Sequence, residues 1–261
     1  MISIITVTLN SESSLKRTFE SLKGQDIEFE YIVVDGASSD GTVEIIKSSE
    51  IVSDWISERD SGIYNAMNKG ISRASGELIG IINSDDEYLK GTLSSVKELY
   101  LKSDGRSVIY GDMQVCYGGD QAVSEGDLTL ESIRNGTYKI THPTMFVPKV
   151  LYDEYGGFDE MFRIAADREL VLRLSSLGVR FLKLEQPLAK FFLGGASSQK
   201  SLAFSWEQSR DEFTIARRHY SLLASLRISI SMFLRLCRNA VVSHFLSDHQ
   251  FMQAKLNRLK D

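Results

Sequence analysis

Cysteine is scarce. The 261 residues hold only Cys116 and Cys237, far apart in the chain. Two distant cysteines make neither a disulfide framework nor a zinc-binding spacing, so no cysteine chemistry is expected, and a reducing compartment suits the chain. Histidine is nearly as sparse, and of the four only His142 lies outside the C-terminal tail. The start, MISIITVTLNSESS, has no basic segment and no small-residue cleavage site. It reads as a structural strand rather than a secretory signal. No stretch offers the roughly 20 mainly apolar residues that a membrane span needs. Internal repeats and low-complexity tracts are absent as well.

What is present is an ordinary globular composition, 43% hydrophobic and 25% charged, long enough for one large core or a core with an appendage. The net charge of -5 hides an asymmetry. Residues 1–199 carry 20 basic and 30 acidic side chains, whereas residues 200–261 carry 10 and 5. An acidic body excludes general nucleic-acid binding, which depends on a positive face toward phosphates. A basic tail is suited to an anionic membrane.

The first hundred residues alternate short apolar runs with helical spacings. Strands are expected at Ile2 to Val7, Tyr31 to Val34, Trp55 to Ser57 and Leu78 to Ile82. Between them fall helices carrying Leu15, Phe19 and Leu22, then Val43 to Ile46, then about Tyr64 to Ser72. This is the βαβ rhythm of a mostly parallel α/β sheet. A helix is expected over Lys90 to Lys102, followed by strands near Val108 to Tyr110 and Gln114 to Tyr117. The Gly-rich stretch 118–160 is expected to be irregular and to shape a pocket rather than a core. A helix over Asp167 to Leu177 should turn Leu170, Leu174 and Leu177 inward. After Gly194-Gly195 the pattern becomes wholly helical.

Ligands of open α/β sheets bind beyond the carboxyl ends of the strands. Three polar clusters occupy that place here: Thr8 with Asn10, Asp35 with Ser38 and Asp40, and Asn83 with Asp85 and Asp86. Adjacent carboxylates suit a hard divalent cation, Mg²⁺ or Mn²⁺, shared with substrate phosphates. Asp also favours turns and helix N-termini, which is the competing reading of each cluster.

Taken in order, SIITVTLN, YIVVDGASSDGT at 31–42, ERDSGIYNAMNKGISRASGELIGIINSDD at 58–86 and GGFDEMFRIAADRELVLRL at 156–174 resemble the family 2 glycosyltransferases of GT-A fold. The likeness is to those that build bacterial surface polysaccharide and lipopolysaccharide. It implies a Rossmann-like catalytic domain over 1–195, with a C-terminal helical region over 196–261. By the same resemblance, Asp35 would accept from the uracil ring N–H, and Thr8, Asn10, Asp60 and Asn83 would line the nucleoside site. Asp85 and Asp86 would share metal and ribose duties, with Mn²⁺ or Mg²⁺ as cofactor. Asp167 would be the catalytic base of an inverting transfer, with Glu169 as substitute. The chain departs from the family pattern twice. Met67 stands where many relatives carry a phosphate-contacting arginine, leaving Lys69 or Arg59 as replacements, and Asn83 stands where an aspartate is frequent.

The implied function is transfer of a sugar from a nucleotide diphosphate sugar, UDP favoured, to a glycan or lipid-linked acceptor. The processive motif Gln-X-X-Arg-Trp is absent, so one or a few sugars per encounter are expected. A catalytically silent sugar-nucleotide or partner-binding protein of the same fold is the alternative. His142 suits a contact with diphosphate, donor sugar or metal, or a structural role. In the tail, Leu222, Leu226, Ile230, Phe233, Cys237, Val241 and Phe245 share one helical stripe, and Arg227, Ser231, Arg235 and Arg238 another. Such a helix packs on the catalytic domain, pairs in a homodimer through 222–246, or lies on a membrane. A cytoplasmic protein is expected, with peripheral contact at the inner face of the cytoplasmic membrane.

Overall fold

The computed structural model describes residues 1–194, 202–230, 233–234 and 247–259. Strands β1 (Ile2–Thr8), β2 (Glu30–Asp35), β3 (Asp54–Ser57) and β4 (Leu78–Asn83) form the parallel half of the sheet, ordered β3-β2-β1-β4. β1 is buried along its whole length, the signature of a strand covered on both faces. Alternate side chains supply two cores. Ile5 and Val7 pack with Tyr64, Met67 and Ile71 of helix α3 (Ile63–Arg73), and Ile2 and Ile4 with Leu15, Phe19 and Leu22 of helix α1 (Leu15–Lys23). Gly70 makes the α3 contact possible, because a Cβ there would collide with the Ile5 side chain.

Helix α2 (Thr42–Lys47) connects β2 to β3, and a short β5 (Glu87–Tyr88) and helix α4 (Thr92–Lys102) follow β4. Beyond them lie β6 (Val108–Tyr117), β7 (Asp120–Ser124), α5 (Leu130–Asn135), a 3-10 turn at His142–Thr144, β8 (Phe146–Pro148), α6 (Lys149–Tyr155), α7 (Ala166–Ser176) and β9 (Phe181–Phe192). The sheet continues from β4 as β8-β6-β9-β5, with β7 on β6. β9 runs parallel to β6, whereas β8 is antiparallel to both β4 and β6. The α/β class is as expected.

Three local expectations are corrected, and one strand is added. The segment 118–160 is largely regular and builds core: Phe146, Val147, Leu151 and Tyr152 are buried. Gly80 admits the Phe146 ring where a Cβ would clash, which wedges β8 between β4 and β6. The two strands expected at 108–117 are one, β6, with an irregularity at Gly111 to Met113. Leu177 is 50% exposed because α7 stops at Ser176. β9 has no counterpart in the sequence pattern. FLKLEQPLAKFF lacks strict alternation, and Pro187 sits where its register with β6 shifts, a position that tolerates proline.

Helix α8 (Leu202–His219) packs on the body through buried Ile215 and Ala216. Its Asp211 carboxylate accepts from the Ile164 N–H at 2.9 Å, and its Glu212 pairs with Arg168 at 2.9 Å. A helical segment at 222–230 follows. Helix α9 (Asp248–Asn257) sets Met252 and Leu256 in buried positions, Leu256 against Val115 and Ala122 of β6 and β7. Of the tail stripes, Ser231, Arg235, Cys237, Arg238, Val241 and Phe245 lie outside the described residues.

Candidate active site

The register of the parallel strands brings the three polar clusters to one edge. Thr8 pairs with Asp35, Asp35 with Ser57, and Val7 with Asn83, so β1, β2, β3 and β4 end side by side. Asp35 is fully buried, and its carboxylate accepts from Ser57 Oγ at 2.6 Å, from the Ser38 N–H at 3.0 Å and from the Ser38 hydroxyl. Thr8 is buried beside it, with Oγ1 lacking any hydrogen-bond partner. Asn10 is exposed and left-handed at φ 50°, and its Oδ1 accepts from the Ser39 N–H at 2.9 Å. That amide therefore stitches the loop after β1 to the loop after β2.

Asp60 reaches the same edge. Its Oδ2 lies 3.2 Å from where a Cβ on Gly36 would stand, and its Oδ1 accepts from Lys69 Nζ at 2.6 Å. Lys69 also meets Glu58 at 2.7 Å and the Arg59 carbonyl at 3.2 Å. These bonds, Asp60 first and Glu58 next, raise its pKa. The ammonium is thus held by two carboxylates and serves Asp60 rather than standing free for phosphate. Met67 points into the core at 2% exposure, so a charge at that position would need a different side-chain path.

The acidic turn separates two aspartates that look equivalent in sequence. Asp86 is fully buried, whereas Asp85 is partly exposed. Asn83 Nδ2 donates to Asp86 Oδ2 at 3.2 Å, and Asn83 Oδ1 and Asp86 Oδ1 are both buried without a partner. Burial, with the Asp85 charge second, pushes the Asp86 carboxyl well above the ordinary range, and burial also raises Asp85. α1 supports the turn from below. Arg17 Nη2 donates to the Asp85 carbonyl at 2.6 Å, Thr18 Oγ1 to the Asp86 carbonyl at 2.7 Å, and Ser11 and Ser84 hydroxyls meet at 2.8 Å. The Arg17 guanidinium also lies 3.8 Å from the Phe192 ring centre and pairs with Glu87 at 3.1 Å. Sequence reasoning missed Arg17, which sits one position off the buried stripe of α1 and reads there as a solvated charge.

These residues fit a divalent cation. Two orphaned acceptor oxygens and a crowded carboxylate pair are costly while unpaired, and a hard dication relieves both. Among the described residues no group of three or more His, Cys, Asp or Glu is arranged to enclose a metal. Any ion here would complete its shell with substrate or water oxygens.

Asp167 occupies the first turn of α7, where the helix dipole favours a carboxylate. It is partly exposed, and its Oδ1 accepts from the Arg168 N–H at 2.9 Å and lies 3.3 Å from Tyr64 OH, which donates to the Ile164 carbonyl at 2.8 Å. His142 is close enough to feel the Asp167 charge. Burial lowers the imidazole pKa more than that charge raises it, which keeps the ring neutral. Its ring stands 6.0 Å from Phe158, itself 5.3 Å from Tyr64. Glu169, the substitute base, is buried and turned away toward Arg173 at 3.1 Å and His219 Nε2 at 3.5 Å. Burial would raise its pKa, but His219 and Arg173 outweigh that and hold it low. α3 joins the two ends of the site, with Lys69 on Asp60 and Tyr64 beside Asp167, and Asn68 bonds the Phe158 N–H and carbonyl at 2.8 and 2.9 Å.

The sheet order, with polar groups gathered at the strand ends, is that of the GT-A fold. Residues 3–157 match the family model of glycosyl transferase family 2, and the chain belongs to that family. The amylovoran biosynthesis glycosyltransferase AmsB of Erwinia amylovora is 27% identical over 216 residues, covering 73% of this chain and 69% of the relative. Among solved structures, Staphylococcus aureus TarS 1–349 in complex with UDP-GlcNAc aligns at TM-score 0.70 and 20% identity, over 89% of this chain and 71% of that one. The match spans 43% of a longer TarS chain. The mannosyltransferase PcManGT of Pyrobaculum calidifontis, in complex with GDP-Man and Mn²⁺, aligns at TM-score 0.66 and 16% identity over 100% of this chain and 80% of that one.

Proposed function

We propose that the chain is an inverting, metal-dependent, non-processive hexosyltransferase. It moves a sugar from a nucleotide diphosphate sugar, with UDP favoured, to a glycan or lipid-linked acceptor of a cell-surface polysaccharide. The observation that carries this reading is the alignment of Thr8, Asp35 and Asn83 on adjacent parallel strand ends, beside the orphaned oxygens of Asn83 and Asp86. UDP-GlcNAc in TarS and GDP-Man with Mn²⁺ in PcManGT support a nucleotide-sugar donor and a divalent ion. The relative named for amylovoran biosynthesis supports the polysaccharide setting.

In this reading Asp35, Asp60, Thr8 and Asn10 bind the nucleoside, and Asn83 meets the ribose. Asp85 and Asp86 share the metal, Asp85 as the accessible carboxylate and Asp86 through its unpaired Oδ1 while its Oδ2 holds Asn83 in place. Held by these residues, a divalent cation would supply positive charge to neutralise the departing diphosphate. Asp167 takes the proton of the acceptor hydroxyl as its oxygen bonds to the anomeric carbon and the bond to the diphosphate oxygen breaks. General-base assistance of this kind is worth roughly 10²–10⁴-fold. The enzyme acts in the cytoplasm, peripheral to the inner face of the membrane that carries its acceptor.

Incubation with a panel of UDP-, GDP- and dTDP-sugars and Mn²⁺ should release nucleoside diphosphate from at least one donor. Asp167→Asn should lower the rate by roughly 10²-fold or more. Release by the substituted protein at the parent rate would remove Asp167 from the mechanism, and no release from any donor would favour the silent binding protein.

A further inference from the structure

The helical segment 222–230 is held to the body by one face only. Ser225 is buried, and its hydroxyl donates to the Ala216 carbonyl at 2.7 Å. Ile228 lies against Gly136, where an added Cβ would meet its Cδ1 at 2.8 Å. At 100° per residue these two side chains leave on one side of the helix, and the opposite side carries Leu223, Leu226 and Ile230, with Leu222 at its edge. All four face solvent, at 76%, 77%, 57% and 53% exposure, and Phe233 and Leu234 beyond them are 65% and 62% exposed. Among the described residues of the expected stripe, Leu222, Leu226, Ile230 and Phe233 do not pack on the catalytic body. Six large apolar side chains in thirteen positions form a face that a protein rarely leaves to water without a partner.

The charge of the segment, read from its sequence, selects the partner. Between Tyr220 and Ser247 the chain contains Arg227, Arg235 and Arg238 and not one Asp or Glu. A second copy would set these like charges against each other, whereas an anionic bilayer offers apolar depth for the leucines and phosphate headgroups for the arginines. No described helix is long and apolar enough to cross a membrane. We propose that the outward face formed by Leu222, Leu223, Leu226, Ile230, Phe233 and Leu234 lies in the headgroup layer of an anionic lipid bilayer, with Arg227 at its flank. The proposal rests on the peripheral placement and membrane-carried acceptor proposed above, and it names the surface that makes the contact.

The test is co-sedimentation of the full chain with vesicles of phosphatidylglycerol and phosphatidylcholine, against vesicles of phosphatidylcholine alone. The parent should pellet with the anionic vesicles, less so in high salt and hardly with the neutral ones. The double change Leu226→Asp and Ile230→Asp, on exposed positions that the fold does not need, should lower the partition coefficient by at least about tenfold. Nucleoside diphosphate release in vesicle-free solution by the same variant should match the parent. A parent that stays in the supernatant, or a variant that binds as the parent does, overturns the proposal. So does a concentration-dependent dimer in sedimentation velocity that the two substitutions dissolve, which would assign the face to a second copy. If vesicle binding fails while donor hydrolysis persists, the docking surface is wrong and the transferase reading stands. If binding occurs without hydrolysis of any donor, the reverse holds.

Discussion

Asp85 and Asp86 are neighbours of one chemical type, and their surroundings give them different work. Asp86 is fully buried against Asn83 with one oxygen unpaired, and Asp85 is partly exposed. Because the Asp86 carboxyl is held well above its ordinary pKa, the folded metal-free protein retains a proton that the unfolded chain has lost. The sign follows from linkage: stability falls as pH rises from about 4, the unfolded value, until the raised folded value is passed. Asp86→Asn removes the charge but keeps the shape. Urea unfolding in EDTA should therefore show the variant ahead of the parent at pH 7, with the advantage shrinking as the pH is lowered. An advantage independent of pH would mean that Asp86 is not the strained group.

Arg17 is the second residue-scale prediction. Its bond to the Asp85 carbonyl and its stacking on Phe192 fix the acidic turn from α1. Arg17→Met should weaken Mn²⁺-dependent UDP binding roughly tenfold, about 1.4 kcal/mol, with little change in the melting temperature, and titration calorimetry reads both the nucleotide and the metal dependence. Neither Arg17 nor the tie between Lys69 and Asp60 can be read from sequence as a contact. Arg17 bonds a residue 68 positions away, and Lys69 sits beside a substitution that invites a phosphate role instead. Asp35, Asp85 and Asp167, by contrast, stand out because strand ends and a helix start frame them.

At the scale of elements, legibility follows burial pattern. β1, β2 and β4 are nearly continuous apolar runs, and each forms where the sequence places it. β9 and the elements between 118 and 160 do not announce themselves, because their pairing partners, such as β8 between β4 and β6, are distant in sequence and their own patterns are mixed. α8 adds a packing question that its helical period leaves open. Ile215 is 1% exposed within the same core as Leu170 and Leu174 of α7. Ile215→Ala should therefore cost about 2–4 kcal/mol in a single urea transition shared with the body. A cost near zero, or a separate early transition, would make α8 an independent appendage.

The molecule as a whole divides its labour along the chain. An acidic α/β body gathers the polar groups of the site at one sheet edge, and a basic C-terminal region presents an apolar face to the outside. Strand order brings Thr8, Asp35 and Asn83 to one edge, and α3 links Asp60 there with Asp167 through Lys69 and Tyr64. The sequence shows the rhythm that makes such an edge, but the way α3 and α1 brace it emerges only from the packing. What the whole architecture claims is that this edge binds a nucleotide diphosphate through a divalent ion. Calorimetric titration of UDP in the presence and absence of Mn²⁺ tests that most directly, on the parent and on Asp35→Ala and Asp85→Ala. The account predicts Mn²⁺-dependent binding by the parent and its loss in Asp85→Ala, with Asp35→Ala weakened at least about tenfold. Binding that is indifferent to Mn²⁺, or that survives both substitutions unchanged, would contradict it.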